Sequence, residues 1–304
     1  MQYPLSSEYV QSIRDPQDNL DRLSHLVPVL DARGEPLRSS GAFAVVFKME
    51  DPNTKKQYAL KCFSQEQQGR ASSYAMIGEE LKNTNSPYII SFEYYDKELY
   101  VNTICTPTTE FPILLMDWVE GETMDVYISS HYHIPGDMKM LTFRFCELAA
   151  WLHRQPFAHG DIKPDNIIVR PDGTLVLIDY DSMYVPLMQG SKSPTLGSKD
   201  YAHPLRTIDD FNETIDDFSL ASIALSLKAI SIEPELYCLY GTSDGMIISS
   251  LDYLDLSNSE VFKTLHRYIV DKEFCQLIGN FLIAYAQKDL SLHSFRNFQI
   301  SQPL

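Results

Sequence analysis

Positive charge is scarce in this 304-residue sequence: 25 lysines and arginines face 41 aspartates and glutamates, a formal net charge of −16 at pH 7. A field of that sign repels phosphate backbones and anionic headgroups, so neither nucleic acid nor a membrane surface is expected as a general partner. Cysteine is sparse as well. Cys62, Cys105, Cys146, Cys238 and Cys275 are scattered, with no CxxC and no Cys/His metal-ligand spacing. An odd, unclustered set fits reduced thiols in a cytoplasm better than a disulfide frame. Long apolar runs are missing too: no stretch reaches about 18 apolar residues, so no transmembrane helix is expected. The start, "MQYPLSSEYV", lacks the basic flank and apolar core of a signal peptide. These absences together predict a soluble, cytoplasmic protein.

The remaining composition is that of a globular protein. Hydrophobic residues make up 44% and charged residues 22%, enough for a sizeable core. The length suggests about two domains or lobes. Residues 1–36 are polar, with helical patterns around 8–13 and 20–26, and read as an N-terminal extension packed on the main body. From residue 37 the texture changes. "AVVFKM" (44–49) and "QYALKCF" (57–63) are strand-like, joined through the polar cluster "EDPNTKK" as a hairpin. Residues 69–83 read as a helix, and 98–101 and 113–116 as further strands. This order predicts a small α+β lobe over 37–116. Residues 117–304 read as mainly helical. Leu141, Phe145, Leu148, Ala149 and Leu152 form an apolar stripe at helical spacing. Residues 215–230 are apolar nearly all round, as in a helix at the centre of a lobe.

Between those two helices lies "FAHGDIKPDNIIVRPDGTLVLIDYD". Two short strands, 167–169 and 175–178, are joined by the turn "RPDG". Around them sit Asp161, Lys163, Asn166 and Asp179. A hairpin returns the chain on itself, so Asp179 is expected close to Asn166. Alone, a loop aspartate is usually a turn or cap residue; the grouping is what suggests chemistry. Phosphoryl transfer needs a carboxylate at the accepting hydroxyl, hard oxygen ligands for Mg²⁺ and a lysine on the nucleotide phosphates. Lys61 lies in a strand beside the turn "SSGAFA" (39–44) and offers that lysine.

"HGDIKPDN" resembles the catalytic loop of eukaryotic-type serine/threonine protein kinases. "DYD" (179–181) sits where that family has Asp-Phe-Gly, and "YALKCF" is similar to its lysine-bearing strand. "LLMDWVEG" (114–121) resembles the hinge, "GSKDYAHPL" (197–205) the end of the activation segment, and "DDFSLA" (216–221) the start of the central helix. The resemblance covers roughly residues 37–230, in the family's order. It implies an α+β, bilobal kinase-like fold: an antiparallel-sheet N-lobe with one helix, and a mainly helical C-lobe. It implies ATP and Mg²⁺ as cofactors and a protein substrate, a basic one being complementary to the net charge. Asp161 would orient or deprotonate the substrate hydroxyl and Lys163 would stabilise the transferring phosphate. Asn166 and Asp179 would hold Mg²⁺. Lys61 would contact the α- and β-phosphates near Gly41, while Val46, Ala59 and Ile168 would sandwich the adenine. Met116 would be the gatekeeper, with the backbones of Asp117 and Val119 at the adenine edge. Asp216 would brace the catalytic loop, and His159 would face the core.

The pattern is broken in several places. Gly160 stands where many members have an arginine that pairs with a phosphorylated activation segment, which implies a segment ordered without that phosphate. Ser182, Ser191, Ser193, Thr195 and Ser198 read as a polar loop. Only Gly41 matches the glycine loop, with Ser39 and Ala44 in flanking positions. Asp181 replaces the glycine of Asp-Phe-Gly, as a further metal ligand or as a lock on the segment. Leu205 replaces a glutamate. For the partner of Lys61, counting forward gives Glu79 or Glu80, while counting back from "SPYII" gives Ile77. Helical facing favours Glu80. Three functions remain open: an active serine/threonine kinase, a pseudokinase serving as a binding or scaffolding module, and a small-molecule phosphotransferase. Lys163, Pro164 and "GSKDYAHPL" speak against the last.

Overall fold

The computed structural model describes residues 2–41, 43–241, 246–286 and 298–303. The chain divides into two units, Met1–Thr84 with Ile90–Val119 and Asn85–Ile89 with Glu120–Leu304. In the first, α1 (Ser6–Arg14), α2 (Pro16–Asn19), β1 (Val27–Pro28), β2 (Arg38–Ser40), β3 (Ala44–Glu50), β4 (Gln57–Phe63), α3 (Arg70–Leu81), β5 (Phe92–Tyr100) and β6 (Glu110–Asp117) follow in order. The strands make one antiparallel sheet, β1-β3-β4-β6-β5, with β2 also paired to β3.

Strand alternation gives this sheet two distinct faces. Val45, Phe47, Met49, Leu60, Cys62, Ile113 and Leu115 bury one face, and Tyr9, Ile13, Leu20, Leu23 and Leu26 from the N-terminal segment complete its core. The Tyr9 hydroxyl donates to the Phe63 carbonyl at 2.6 Å. The opposite face carries Val46 beside Lys61 and Ala59 beside Met116, as the β3–β4 and β4–β6 registers require. Helix α3 packs there. Its Tyr74 stacks on Tyr94 at 5.5 Å and meets Phe92 edge-on.

Residues 20–26, expected to be helical, are not. The Asp21 N–H donates to the Glu98 carbonyl at 3.1 Å and the Leu23 N–H to the Glu98 carboxylate at 2.7 Å, while Leu20 bridges Leu99. Pairing with β5 uses the amides a helix would need, so tertiary contact overrides the leucine spacing. Ser39, read as a turn residue, is a strand residue of β2, and Ala44, read both as the end of that turn and as the start of a strand, begins β3.

The second unit holds β7 (Glu122–Thr123), α4 (Met124–His131), α5 (Pro135–Leu152), β8 (Ile167–Val169), β9 (Leu175–Leu177), α6 (Asp217–Ile232), α7 (Glu235–Tyr240), α8 (Glu260–Leu265) and α9 (Lys272–Ala286). Strands β7, β8 and β9 form a small antiparallel sheet. Helix α6 packs against α5 and α9 and is buried along nearly its whole length, which explains its apolar circumference. Its serines find partners inside the unit: Ser219 donates to the Tyr201 carbonyl and Ser222 meets the Tyr253 hydroxyl, both at 2.8 Å. Helical structure expected at 287–297 lies outside the described residues. Among the described residues no helix is long and apolar enough to cross a membrane, and all five cysteines are free thiols.

Candidate active site

The carboxylate that organises the loop after α5 is Asp216, which precedes α6. It accepts the His159 N–H at 2.5 Å and the Gly160 N–H at 2.9 Å. Burial pushes the Asp216 carboxyl above its ordinary pKa, outweighing His159, the two amides and Arg206. His159 is itself fully buried. Its Nε2 donates to the Ile178 carbonyl at 2.8 Å, and its Nδ1 faces the Asp161 N–H at 3.4 Å. A carbonyl on one side and an amide on the other select the Nε2-protonated tautomer. The loop is thus fastened both to α6 and to the end of β9.

Asp161 comes next. Its Oδ1 accepts the Ser198 N–H at 2.9 Å and the Ser198 hydroxyl at 3.1 Å. Asn166 Nδ2 donates to the Asp161 carbonyl at 2.8 Å and to Oδ2 at 3.2 Å. That amide nitrogen is committed, so Oδ1 is the end of the buried Asn166 side chain that suits a cation. A short 3-10 turn, Pro164–Asn166, sets the spacing. The Ile178 N–H then donates to the Asn166 carbonyl at 2.9 Å, tying the residue before Asp179 to Asn166. Asp179 has φ +66°, in the left-handed region. For a non-glycine residue that backbone costs about 1–2 kcal/mol, and such strain concentrates at functional positions. Lys163 is half-buried, with Nζ 3.3 Å from the Asp165 carboxylate. Burial lowers its pKa, but Asp165, Asp161 and Asp179 outweigh burial and hold the ammonium above its ordinary value. Asp161, Lys163, Asn166 and Asp179 are therefore gathered in one unit, beside Ile168 in β8, which pairs with Thr123 and Val176.

The other expected site residues lie in the sheet-bearing unit. Lys61 is 3% exposed, its Nζ 5.6 Å from the Phe63 ring. Gly41 follows β2, and its N–H donates to the Ala44 carbonyl at 2.9 Å. The Asp117 carboxylate takes Lys56 at 2.7 Å and the Ser91 hydroxyl at 3.1 Å; Val119 is buried. Glu79 is exposed and 3.9 Å from Lys82, whereas Glu80 is half-buried.

Arg206 was not foreseen from the sequence, and Ser193 and Ser198 were read only as loop polar groups. Arg206 is 8% exposed, and its Nη1 donates to the Gly160 carbonyl at 2.9 Å. Its Nη2 donates to the Ser193 hydroxyl at 3.3 Å. Burial pulls the guanidinium below its ordinary pKa against the attraction of Asp216, Asp161 and Asp210. One clue was available: position 160 lacks a cation, and an arginine directly follows "GSKDYAHPL".

A family model for the protein kinase domain matches residues 39–243. The chain belongs to the protein kinase domain family. Similar proteins include a probable myosin light chain kinase of Dictyostelium discoideum, 25% identical over 168 residues, covering 54% of this chain and 50% of that one. Human Rho-associated protein kinase 1 is 27% identical over 175 residues, covering 54% of this chain and 12% of the relative. Serine/threonine-protein kinase sgk-1 of Caenorhabditis elegans is 25% identical over 196 residues, covering 60% and 39%. This kinase domain thus spans half or less of the length of these relatives.

ATP and Mg²⁺ use follows from the family in general. Among the described residues no three or more His, Cys, Asp or Glu side chains gather as a metal cluster, which leaves no cage of Asp161, Asp179 and Asp181. An asparagine oxygen with one carboxylate suits Mg²⁺, which completes its shell with water and phosphate oxygens. The donor set of this kinase domain therefore fits the ion. Asp181 lies in the 3-10 turn Tyr180–Ser182 and is not among the positive-φ residues, so its backbone does not demand glycine.

Proposed function

We propose that this kinase domain transfers the terminal phosphoryl group of Mg-ATP to serine or threonine hydroxyls of a protein substrate. The observation that carries the reading is the hydrogen-bonded grouping of Asp161, Asn166 and Ser198 beside a protonated Lys163. In it Asp161 orients the accepting hydroxyl and takes its proton. Lys163 holds the negative oxygens of the phosphoryl group in flight. Asn166 and Asp179 would hold Mg²⁺, which when bound neutralises phosphate charge. Lys61 would take the α- and β-phosphates near Gly41, and Val46, Ala59, Met116 and Ile168 the adenine, with the backbones of Asp117 and Val119 at its polar edge. Catalysis of this kind is positioning and charge neutralisation. The serine/threonine preference rests on Lys163, two residues after Asp161, and on the serine/threonine kinases among the relatives. Five free thiols support a reducing compartment such as the cytoplasm.

Asp161→Asn tests this directly. Transfer of labelled phosphate to protein should fall by about 10²–10⁴-fold, with ATP binding retained. Equal rates in both forms overturn the assignment. A second reading, a nucleotide-binding module without transfer, draws on two observations. Both Asp161 carboxylate oxygens already accept hydrogen bonds inside the unit, and Asp181 adds a carboxylate two residues from Asp179. A thermal shift with Mg-ATP but no transfer to any protein would favour it; autophosphorylation would rule it out.

A further inference from the structure

We propose that Arg206 is a positioning residue that clamps residues 182–198 onto the loop at Asp161 without phosphorylation. The idea deepens the functional reading above and depends on it only for its kinetic part. It starts from a steric fact. Gly160 has φ +82°, and a Cβ built on it would lie 1.9 Å from the Ser182 carbonyl oxygen. No side chain fits at position 160, so the loop cannot carry its own arginine there.

Arg206 brings a guanidinium to the same backbone from beyond the far end of the segment. It joins the Gly160 carbonyl to the Ser193 hydroxyl. A Cβ built on Gly197 would lie 3.0 Å from Nη1 and 3.5 Å from Asp161 Oδ1, so guanidinium, segment and carboxylate share one crowded corner. The hydroxyls continue the chain. Ser193 donates to the Thr195 carbonyl at 2.6 Å, and Thr195 Oγ1 meets Ser182 Oγ at 3.1 Å. The Gly197 N–H reaches Thr195 Oγ1 at 3.2 Å, and Ser198 closes on Asp161. No phosphate is needed to complete this path. Ser193 is 5% exposed, so a phosphate there would break the network rather than extend it.

A packing role alone does not account for Arg206. Its Nε is buried with no hydrogen-bond partner. Burying a guanidinium with one donor unsatisfied is unfavourable, and an apolar side chain of similar volume would fill the space at lower cost. What the arginine adds is a two-pronged cationic donor joining the Gly160 carbonyl to the Ser193 side chain.

The test uses the full chain, freed of phosphate and verified by intact mass, with amide hydrogen exchange as the readout. The amides of Ser193 and Ser198 should be protected in the wild type. Arg206→Met should speed their exchange by about tenfold or more while leaving α6 unchanged. Arg206→Lys, which keeps the charge but not the fork, should fall between. In transfer assays kcat should drop by a similar factor with KM for ATP nearly constant, and lysine should restore part of it. Unprotected wild-type amides, no change in Arg206→Met, or an equal increase across α6 would each overturn the proposal. If Arg206→Met does not fold, Ser193→Ala takes its place: it removes one partner and must speed exchange over 193–198, and unchanged exchange overturns the clamp. If no form transfers phosphate, the functional reading fails while the exchange data still decide the role of Arg206.

Discussion

Gly160 and Asp161 are adjacent but are constrained by different forces. On the proposed function the carboxylate at 161 serves chemistry, and so do Lys163 and Asn166. Those side chains were legible in the sequence because phosphoryl transfer asks for particular functional groups at close spacing. Gly160 is chosen by backbone geometry, which the sequence registers only as a missing arginine. Gly160→Ala must place a methyl against the Ser182 carbonyl in a left-handed backbone. Strain and overpacking together predict a loss of about 2–4 kcal/mol, seen as a lower midpoint in denaturant. Unchanged stability would mean that position 160 is free to carry a side chain. Arg206 was harder to see because it pairs with a backbone carbonyl and a serine hydroxyl, neither of which leaves a mark in sequence.

The elements that were legible are those whose side-chain period is enforced by burial. β4 and β8 span the residues their apolar runs suggested, and α6 is buried nearly all round as its composition required. Residues 20–26 misled because leucines at three-residue spacing serve a strand edge as well as a helix face. Contacts between elements also set a pH response that no motif announces. His203 Nδ1 accepts the Leu205 N–H at 3.1 Å, and Nε2 donates to the Tyr285 carbonyl of α9 at 3.3 Å. Its ring meets Phe218 of α6 edge-on. A second proton on Nδ1 would face a donor, and burial lowers the His203 pKa from its ordinary 6.5 despite the carbonyls of Tyr285 and Ala284. With the folded value depressed, the unfolded chain binds more protons just below pH 6.5. The contribution of His203 is therefore present above that pH and lost as pH falls through the folded value. Between pH 7 and pH 5 the wild type should lose more stability than His203→Gln, measured by urea titration at each pH. Parallel losses in the two proteins would show that His203 is not the responsive group.

At the scale of the whole molecule, the boundaries of the family and those of the folding unit differ. The kinase match begins at residue 39, yet the core of the sheet-bearing unit draws on Tyr9, Ile13, Leu20, Leu23 and Leu26. These side chains cover the sheet face opposite Lys61, which the strand register fixes. The hydrogen bonds agree: Tyr9 reaches the Phe63 carbonyl, Glu98 holds Leu23, and Glu8 takes the Thr103 hydroxyl at 2.7 Å. The segment before residue 37 was expected to pack on the main body, and its side chains help to form the core of the sheet-bearing unit. Five large apolar groups at about 1.5–3 kcal/mol each amount to roughly 10 kcal/mol of burial, comparable to the whole stability of a typical domain, about 5–15 kcal/mol. A chain starting at residue 37 should therefore lose the cooperative melting of the sheet-bearing unit and aggregate, even though it retains the entire kinase match. Circular dichroism melts with sedimentation of both forms would measure this. Tyr9→Phe gives a graded version, since removing one buried hydroxyl bond should cost about 1–2 kcal/mol without exposing the core. If the shortened chain stays monomeric and melts with the full one, residues 2–36 are an attached tail and the sheet face is stable without them.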